Sequence, residues 1–186
     1  MQQRLQCGGC GGENRWLLHN VRHRAAYRRL CTNCILKTHQ GLFCPFCFHV
    51  YDHDSLLVPA PEERVMCLKC PSISHLSCLP PFHNTSPFLC PPCSSPNFSF
   101  FNLPHDDDVS IDIDSARALV AAAKIAAVSM AKAAALARLE AERRVKEATL
   151  AKKRAREALE RLAFLSAQDK LKHSAHKLSK RMECSF

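Results

Sequence analysis

Eleven of the twelve cysteines in this 186-residue chain fall between Cys7 and Cys93, and ten of those eleven are spaced Cys-x-x-Cys. The pairs are Cys7/Cys10, Cys31/Cys34, Cys44/Cys47, Cys67/Cys70 and Cys90/Cys93, with a mixed sixth pair at His75/Cys78. Two thiolates separated by a two-residue turn reach one cation together, and structural zinc takes four such N/S ligands in a tetrahedron, about 2.3 Å from each sulfur. Six pairs supply twelve ligands, enough for three closed sites with none left over, so the expected cofactor is zinc, three ions per chain. Cys184 stands outside this scheme, and no function is expected of it.

Two other chemistries use the same residues. A disulfide scaffold belongs to an oxidising compartment, but Met1-Gln-Gln-Arg-Leu-Gln-Cys7 lacks the apolar core and cleavage site of a secretory leader. Disulfides also leave the histidine in the sixth pair unexplained. Redox catalysis needs a Cys-x-x-Cys at a helix start beside a strand unit and does not account for five copies. Zinc is the better reading. No nucleotide-binding loop, Gly-x-Ser-x-Gly or His-Glu-x-x-His is present, so the chain is expected not to be an enzyme.

The last four pairs run Cys44-x2-Cys47-x19-Cys67-x2-Cys70-x4-His75-x2-Cys78-x11-Cys90-x2-Cys93, with Phe88 two residues before the seventh ligand. This order resembles a PHD finger, and Cys67-Leu-Lys-Cys-Pro-Ser-Ile-Ser-His-Leu-Ser-Cys-Leu-Pro-Pro81 follows that pattern. The resemblance implies interleaved sites, one of Cys44, Cys47, His75 and Cys78 and the other of Cys67, Cys70, Cys90 and Cys93. Phe88 stands where the family usually has Trp and should pack on the second site. RING fingers fit less well, because their second pair is spaced differently. The apolar residues of 43–93, among them Phe43, Phe46, Leu56, Leu57, Val65, Phe82 and Phe88, are too few to hold about 50 residues alone. Zinc binding is then folding free energy, on the order of 10 kcal/mol per site.

Upstream, Cys7-x2-Cys10-x20-Cys31-x2-Cys34 looks like a zinc ribbon, with Cys7-Gly-Gly-Cys10-Gly-Gly suited to a tight thiolate turn. Between its knuckles lie Trp16, Arg22, Arg24, Tyr27, Arg28 and Arg29. Two readings stand side by side: a phosphate-binding patch with a stacking aromatic, or a solvated ribbon face over a core of Trp16, Leu18 and Tyr27. His19, His23 and His39 are spare candidates for a ligand, made unnecessary by the full set of cysteines.

The elements that must position these residues follow from composition. Residues 1–40 read as a zinc ribbon with four cysteine ligands, 41–94 as the finger, and 95–114 as a linker rich in Pro, Ser and acids whose Phe98, Phe100, Phe101 and Leu103 can pack back on the finger. Asp112, Asp114 and Ser115 are N-cap candidates for a helix over 115–166, made of Ala, Leu, Lys, Arg and Glu, with 167–186 a flexible basic tail. The expected fold class is therefore small zinc-stabilised α+β modules followed by one long α-helix. Alternating steps of three and four place Val120, Ala123, Ala127, Met130, Ala134, Ala137, Ala141, Arg144, Ala148, Ala151, Ala155, Ala158, Leu162 and Leu165 on one line, thirteen of the fourteen apolar. That is a shallow heptad seam, suited to weak coiled-coil self-association or a partner helix, unless alanine serves propensity alone. Pairs such as Glu142/Lys146 and Glu157/Arg161 are placed to support the helix at i,i+4.

Charge is divided unevenly. The net charge is +9, and residues 116–186 hold seventeen bases against seven acids. Arg143, Arg144 and Lys146, then Lys152, Lys153, Arg154 and Arg156, form two basic clusters of the kind used for nuclear import or nucleic-acid contact. The most apolar segment, Leu119–Leu139, carries Lys124, Lys132 and Arg138, so no membrane span is expected. Ribbon, finger and Ala-rich helix in this order resemble a small group of plant PHD-type zinc-finger proteins. The PHD resemblance implies a nuclear, chromatin-associated protein-interaction module, with a histone tail as the partner. It places Glu62, Glu63, Val65 and Met66 on the peptide-binding strand, and since no aromatic cage is evident the tail would be unmodified. A non-catalytic scaffold, a nucleic-acid binder and, least well supported, a ubiquitin ligase are the competing classes.

Overall fold

The computed structural model describes residues 6–13, 17–51, 58–79, 87–101 and 111–183, the backbone alone from 176. Trp16, Leu56, Leu57, Phe82, Leu103, the acid run 106–108 and Cys184 lie outside the described residues. The chain divides into two compact units, Met1–Ala134 and Ala135–Phe186.

The first unit begins with a hairpin in which β1 (Leu18–His23) pairs antiparallel with β2 (Ala26–Cys31), Leu18 opposite Cys31 and His23 opposite Ala26. Its two-residue turn is Arg24-Ala25, with φ of 48° and 65°. A tight hairpin turn of this hand requires left-handed backbone, which Asn-Gly supplies far more readily. Helix α1 (Thr32–Thr38) follows directly, and Ile35 and Leu36 on its inner face are fully buried. A second, smaller hairpin joins β3 (Arg64–Met66) to β4 (Ile73–His75), and the four-residue helix α2 (Pro91–Ser94) opens at Cys90 with two prolines in its first turn, where their missing N–H groups cost nothing.

Helix α3 runs Ile113–Glu183. It opens at Asp112, whose carboxylate accepts hydrogen bonds from the N–H groups of Asp114 (3.0 Å) and Ser115 (2.8 Å) and from the Ser115 hydroxyl (2.6 Å). These satisfy first-turn donors that have no partner inside the helix. The helix continues past 166, through the segment read as a flexible tail. The reason is local: after Gly41 and Pro104 the chain has neither glycine nor proline, so nothing breaks the helical run.

The first 22 residues of α3 belong to the first unit, so this unit does not stop at a linker ending at 114. One hydrophobic cluster unites Cys7, Val21, Leu30, Cys31, Ile35, Leu36, Phe43 and Phe100 with Ala118, Ala121, Ala122, Ile125 and Ala126 of α3. The seam expected along Val120, Ala123, Ala127 and Ala134 is exposed here, and Met130 is half-buried. The buried stripe is a neighbouring one, because Ile125 is the large branched side chain available to fill the core, and the alanines beside it let the helix approach closely. Ser129 fixes the contact further along. Its hydroxyl accepts from the Arg22 N–H at 3.1 Å and donates to the Arg22 carbonyl at 3.3 Å. Phe100 of the expected linker does pack back: it lies against Phe43, Phe48 and Phe98, and its N–H donates to the Asn33 side chain.

By length and composition alone, one stretch of α3 is apolar enough to cross a membrane, although part of that stretch is buried in this cluster. In the second unit every described side chain of 135–175 other than Glu140 is exposed, including Leu136, Leu139, Leu150, Leu162 and Phe164. Exposed ion pairs run along it: Glu140 with Arg143 and Arg144, Glu147 with Arg143, Glu157 with Lys153 and Glu160 with Arg156. The Glu157 carboxylate thus takes Lys153 and not the anticipated Arg161.

Candidate metal centres

All twelve ligands named from spacing come together in three tetrads. They are Cys7/Cys10/Cys31/Cys34, Cys44/Cys47/His75/Cys78 and Cys67/Cys70/Cys90/Cys93, with the ligand atoms of each within 4.8 Å of one another. The first tetrad is made by the N-terminal knuckle and by the end of β2 running into α1. Its knuckle is tight: the Gly8 N–H donates to the Arg29 carbonyl at 2.8 Å, Gly11 has φ of 71°, and a Cβ at Gly9 would sit 3.0 Å from Cys34 Sγ. The other two tetrads interleave along the chain. Cys44 and Cys47 reach across to His75 at the end of β4 and Cys78 in the 3-10 turn that follows it, while Cys67 and Cys70, in the turn between β3 and β4, reach across to Cys90 and Cys93 around α2.

A regular zinc tetrahedron places neighbouring thiolates about 3.8 Å apart. Here Cys10 and Cys31 Sγ are 4.0 Å apart and Cys70 and Cys90 Sγ 3.4 Å, and His75 Nδ1 lies 3.4 Å from Cys47 Sγ and 3.6 Å from Cys78 Sγ. The donor sets therefore fit zinc in number, kind and separation. His75 turns Nδ1 to its site, and burial followed by the charge of His49 lowers its pKa, which favours the neutral imidazole a metal needs.

The thiols divide in a manner that suits a cation. Burial works against ionising Cys7, but N–H groups of Cys31, Cys10 and Gly9 outweigh it and bring the thiol down to about 6. Cys67 shows the same balance, with N–H donors from Cys90 and Lys69, and also falls to about 6. Their neighbours go the other way. Burial and then the charge of Cys44 push Cys78 up to about 12, burial lifts Cys70 to about 11, and Cys34 and Cys90 rise through burial and adjoining thiols. Four thiolates cannot share so small a volume without a positive charge at its centre, and a bound dication supplies one.

Phe88 packs with Cys67 and Cys90 in a second small cluster, as expected, together with Phe46, Val65, Leu79 and Leu89. The sequence reading missed the surroundings of His75. Tyr51, 4% exposed, and His49 lie with ring centroids 5.6 and 5.9 Å from that of His75, and the Tyr51 hydroxyl donates to the Ile73 carbonyl. The only signal for them was the pair of aromatic rings just after Cys47. The spare histidines are engaged elsewhere: His19 Nε2 lies 3.1 Å from the Thr32 hydroxyl, and His39 Nδ1 bonds the Ile35 carbonyl.

Glu62 and Glu63 are exposed but sit in a 3-10 turn (Pro61–Glu63) ahead of β3, not on the strand itself. On β3, Val65 turns into the Phe88 cluster and Met66 is exposed. Tyr27, 65% exposed, lies opposite Arg22 in the β1–β2 register, with Arg24, Arg28 and Arg29 exposed around it. Tyr27 is therefore not a core residue of the β1–β2 hairpin. In the second unit Arg143, Arg144, Lys153 and Arg156 are held by glutamates, whereas Lys146, Lys152 and Arg154 make no ion pair among the described residues. No family model, curated protein or solved structure matches this chain.

Proposed function

We propose that the chain is a non-catalytic nuclear adaptor whose residues 41–94 form a PHD-type finger that docks an unmodified histone tail. The observation that carries this reading is the interleaving of the second and third tetrads around a two-stranded hairpin in which β3 has one edge left unpaired among the described residues. Among the described residues β3 pairs with β4 only, so its other edge offers N–H and C=O groups to an extended peptide. The acidic turn of Glu62 and Glu63 leads into that edge and complements a lysine-rich ligand. Of the two aromatic rings beside His75, Tyr51 is buried with its hydroxyl committed to Ile73, which leaves His49 as a single exposed ring, short of the several faces a methylammonium cage needs. The basic clusters of 143–156 serve nuclear import in this reading.

The test is a titration of the zinc-loaded full chain with unmodified and lysine-methylated histone-tail peptides, read by amide chemical shifts. The full chain is needed because α3 contributes to the core of the first unit. Shifts confined to 62–66, stronger for the unmodified peptide and lost in Glu62→Lys/Glu63→Lys, are expected. Silence across all peptides refutes the reading.

A second reading rests on the exposed ring of Tyr27 between arginines on the β1–β2 hairpin, an arrangement suited to stacking a base with its phosphate neutralised. It predicts single-strand binding that weakens steeply with salt and is lost in Tyr27→Ala.

A further inference from the structure

We infer that residues 137–162 form a docking surface for a second copy of the same helix, running antiparallel and centred between Ala148 and Ala151. This surface is independent of the function proposed above and belongs to the second unit alone. Its foundation is the seam of Ala137, Ala141, Ala148, Ala151, Ala155, Ala158 and Leu162, every one of them exposed, on a helix with no partner of its own within that unit among the described residues. A seam this rich in alanine is of use only if another backbone can come close, and a second alanine-lined helix can.

Charge decides which helix and in which direction. The residues immediately preceding Ala141, Ala148, Ala155 and Leu162 are Glu140, Glu147, Arg154 and Arg161, acidic in the first half and basic in the second. In an antiparallel pair these flanking positions face each other across the seam. With Ala148 packed against the second copy's Ala151, Glu147 meets Arg154 and Glu140 meets Arg161, and the two-fold axis repeats both contacts. Arg154 and Arg161 make no ion pair among the described residues, so they are free to do this. The seam agrees: Ala141 faces Ala158, Leu162 faces Ala137, and Arg144 faces Ala155, which leaves its long side chain room to reach solvent.

Other arrangements lose these contacts. A slip of one heptad places Arg154 against Arg154 or Glu147 against Glu147 at the centre. A parallel pair sets each flanking residue against the one five positions on, which leaves a single complementary contact, Glu147 with Lys152.

The test begins with sedimentation equilibrium of the zinc-loaded full chain across micromolar concentrations, where a dimer is expected. Glu140→Arg/Glu147→Arg makes the flank wholly basic and Arg154→Glu/Arg161→Glu makes it wholly acidic. Each variant alone should dissociate about tenfold more readily, and an equimolar mixture should regain the dimer. Unchanged zinc content in both variants separates this from misfolding. A spin label on a ketone-bearing residue in place of Ala167 reads direction: about 50 Å between labels in the antiparallel pair at 1.5 Å per residue, against about 20 Å or less in a parallel one. A monomer at every concentration, a mixture that does not recover, or a short label distance overturns the inference.

Discussion

Replacing Ile125 by alanine separates a helix that belongs to the metal-binding unit from one merely tethered to it. Ile125 is 3% exposed and shares one cluster with Val21, Leu30, Ile35, Leu36, Phe43 and Phe100. Truncating a buried isoleucine to alanine costs about 2–5 kcal/mol, and the better helix propensity of alanine returns about 0.4 kcal/mol. The net loss of about 1.6–4.6 kcal/mol raises the open population of the unit by a factor on the order of 10 to 2,000. Cys7 and Cys31 lie in the same cluster, so the first tetrad should loosen first. The assay is zinc transfer from the full chain to a chromophoric chelator along a urea series. Val120→Ala is the control, because Val120 lies on the same helix but is 53% exposed and should cost no more than about 0.5 kcal/mol. Equal curves for the two variants would refute the packing described for the first 22 residues of α3.

Ser129→Ala removes both partners of the Arg22 backbone, and leaving those groups unpaired should cost about 1–2 kcal/mol in the same assay, with Ser129→Thr restoring part of it. Elemental analysis should find three zinc ions per chain, the number of tetrads, falling to two in His75→Ala, and a strong chelator should abolish the dispersed amide spectrum of the first unit. The Asp112 carboxyl is held below its ordinary value of 3.8, first by the Ser115 hydroxyl and then by the Ser115 N–H. A depressed carboxylate stabilises the fold above its unfolded pKa and loses that contribution as pH falls through the folded one. First-turn amide protection should therefore weaken only at pH below the ordinary aspartate value, and Asp112→Ala should lack that protection at neutral pH as well.

Metal ligands are legible because their chemistry is local: a Cys-x-x-Cys turn announces its two donors without reference to the rest of the chain. Which pairs share an ion is a property of the folded chain, and it came only by resemblance to a known finger. Helix α3 was legible at its start to within two residues, since Asp112 was one of three cap candidates for a helix expected from 115 and the helix opens at Ile113, but not in its phase or its end. Alanine carries the same small weight on every face, so a heptad count over Val120, Ala123 and Ala127 cannot distinguish a seam that faces solvent from the adjacent stripe that faces the core. Ile125 and Ser129 settle that phase, and their partners, from Val21 to Phe100 and the Arg22 backbone, are distant in sequence. The β1–β2 turn was hidden for a different reason, since Arg24-Ala25 adopts the backbone that Asn-Gly would have announced.

Dependence on distant partners also makes metal loading and helix docking in the first unit one transition. The larger cluster holds two thiols of the first tetrad, Cys7 and Cys31, among its buried residues, and four alanines and Ile125 of α3 complete it. Without zinc, the Cys7 knuckle is held against β2 only by its place in this cluster and by a few hydrogen bonds among the described residues, including Gly8 N–H to the Arg29 carbonyl and Cys31 N–H to Cys7 Sγ. Without α3, Val21, Leu30 and Phe100 lose their cover, and the hairpin alone is too small to compensate. Each component therefore raises the affinity for the other, by an amount set by the apolar surface that α3 removes from water. The second unit is not subject to this coupling, because none of its described side chains enters either hydrophobic cluster. Its helix must draw on propensity, on exposed ion pairs worth a few tenths of a kcal/mol each, and on whatever covers its alanine seam. This dependence makes that seam the natural place for association.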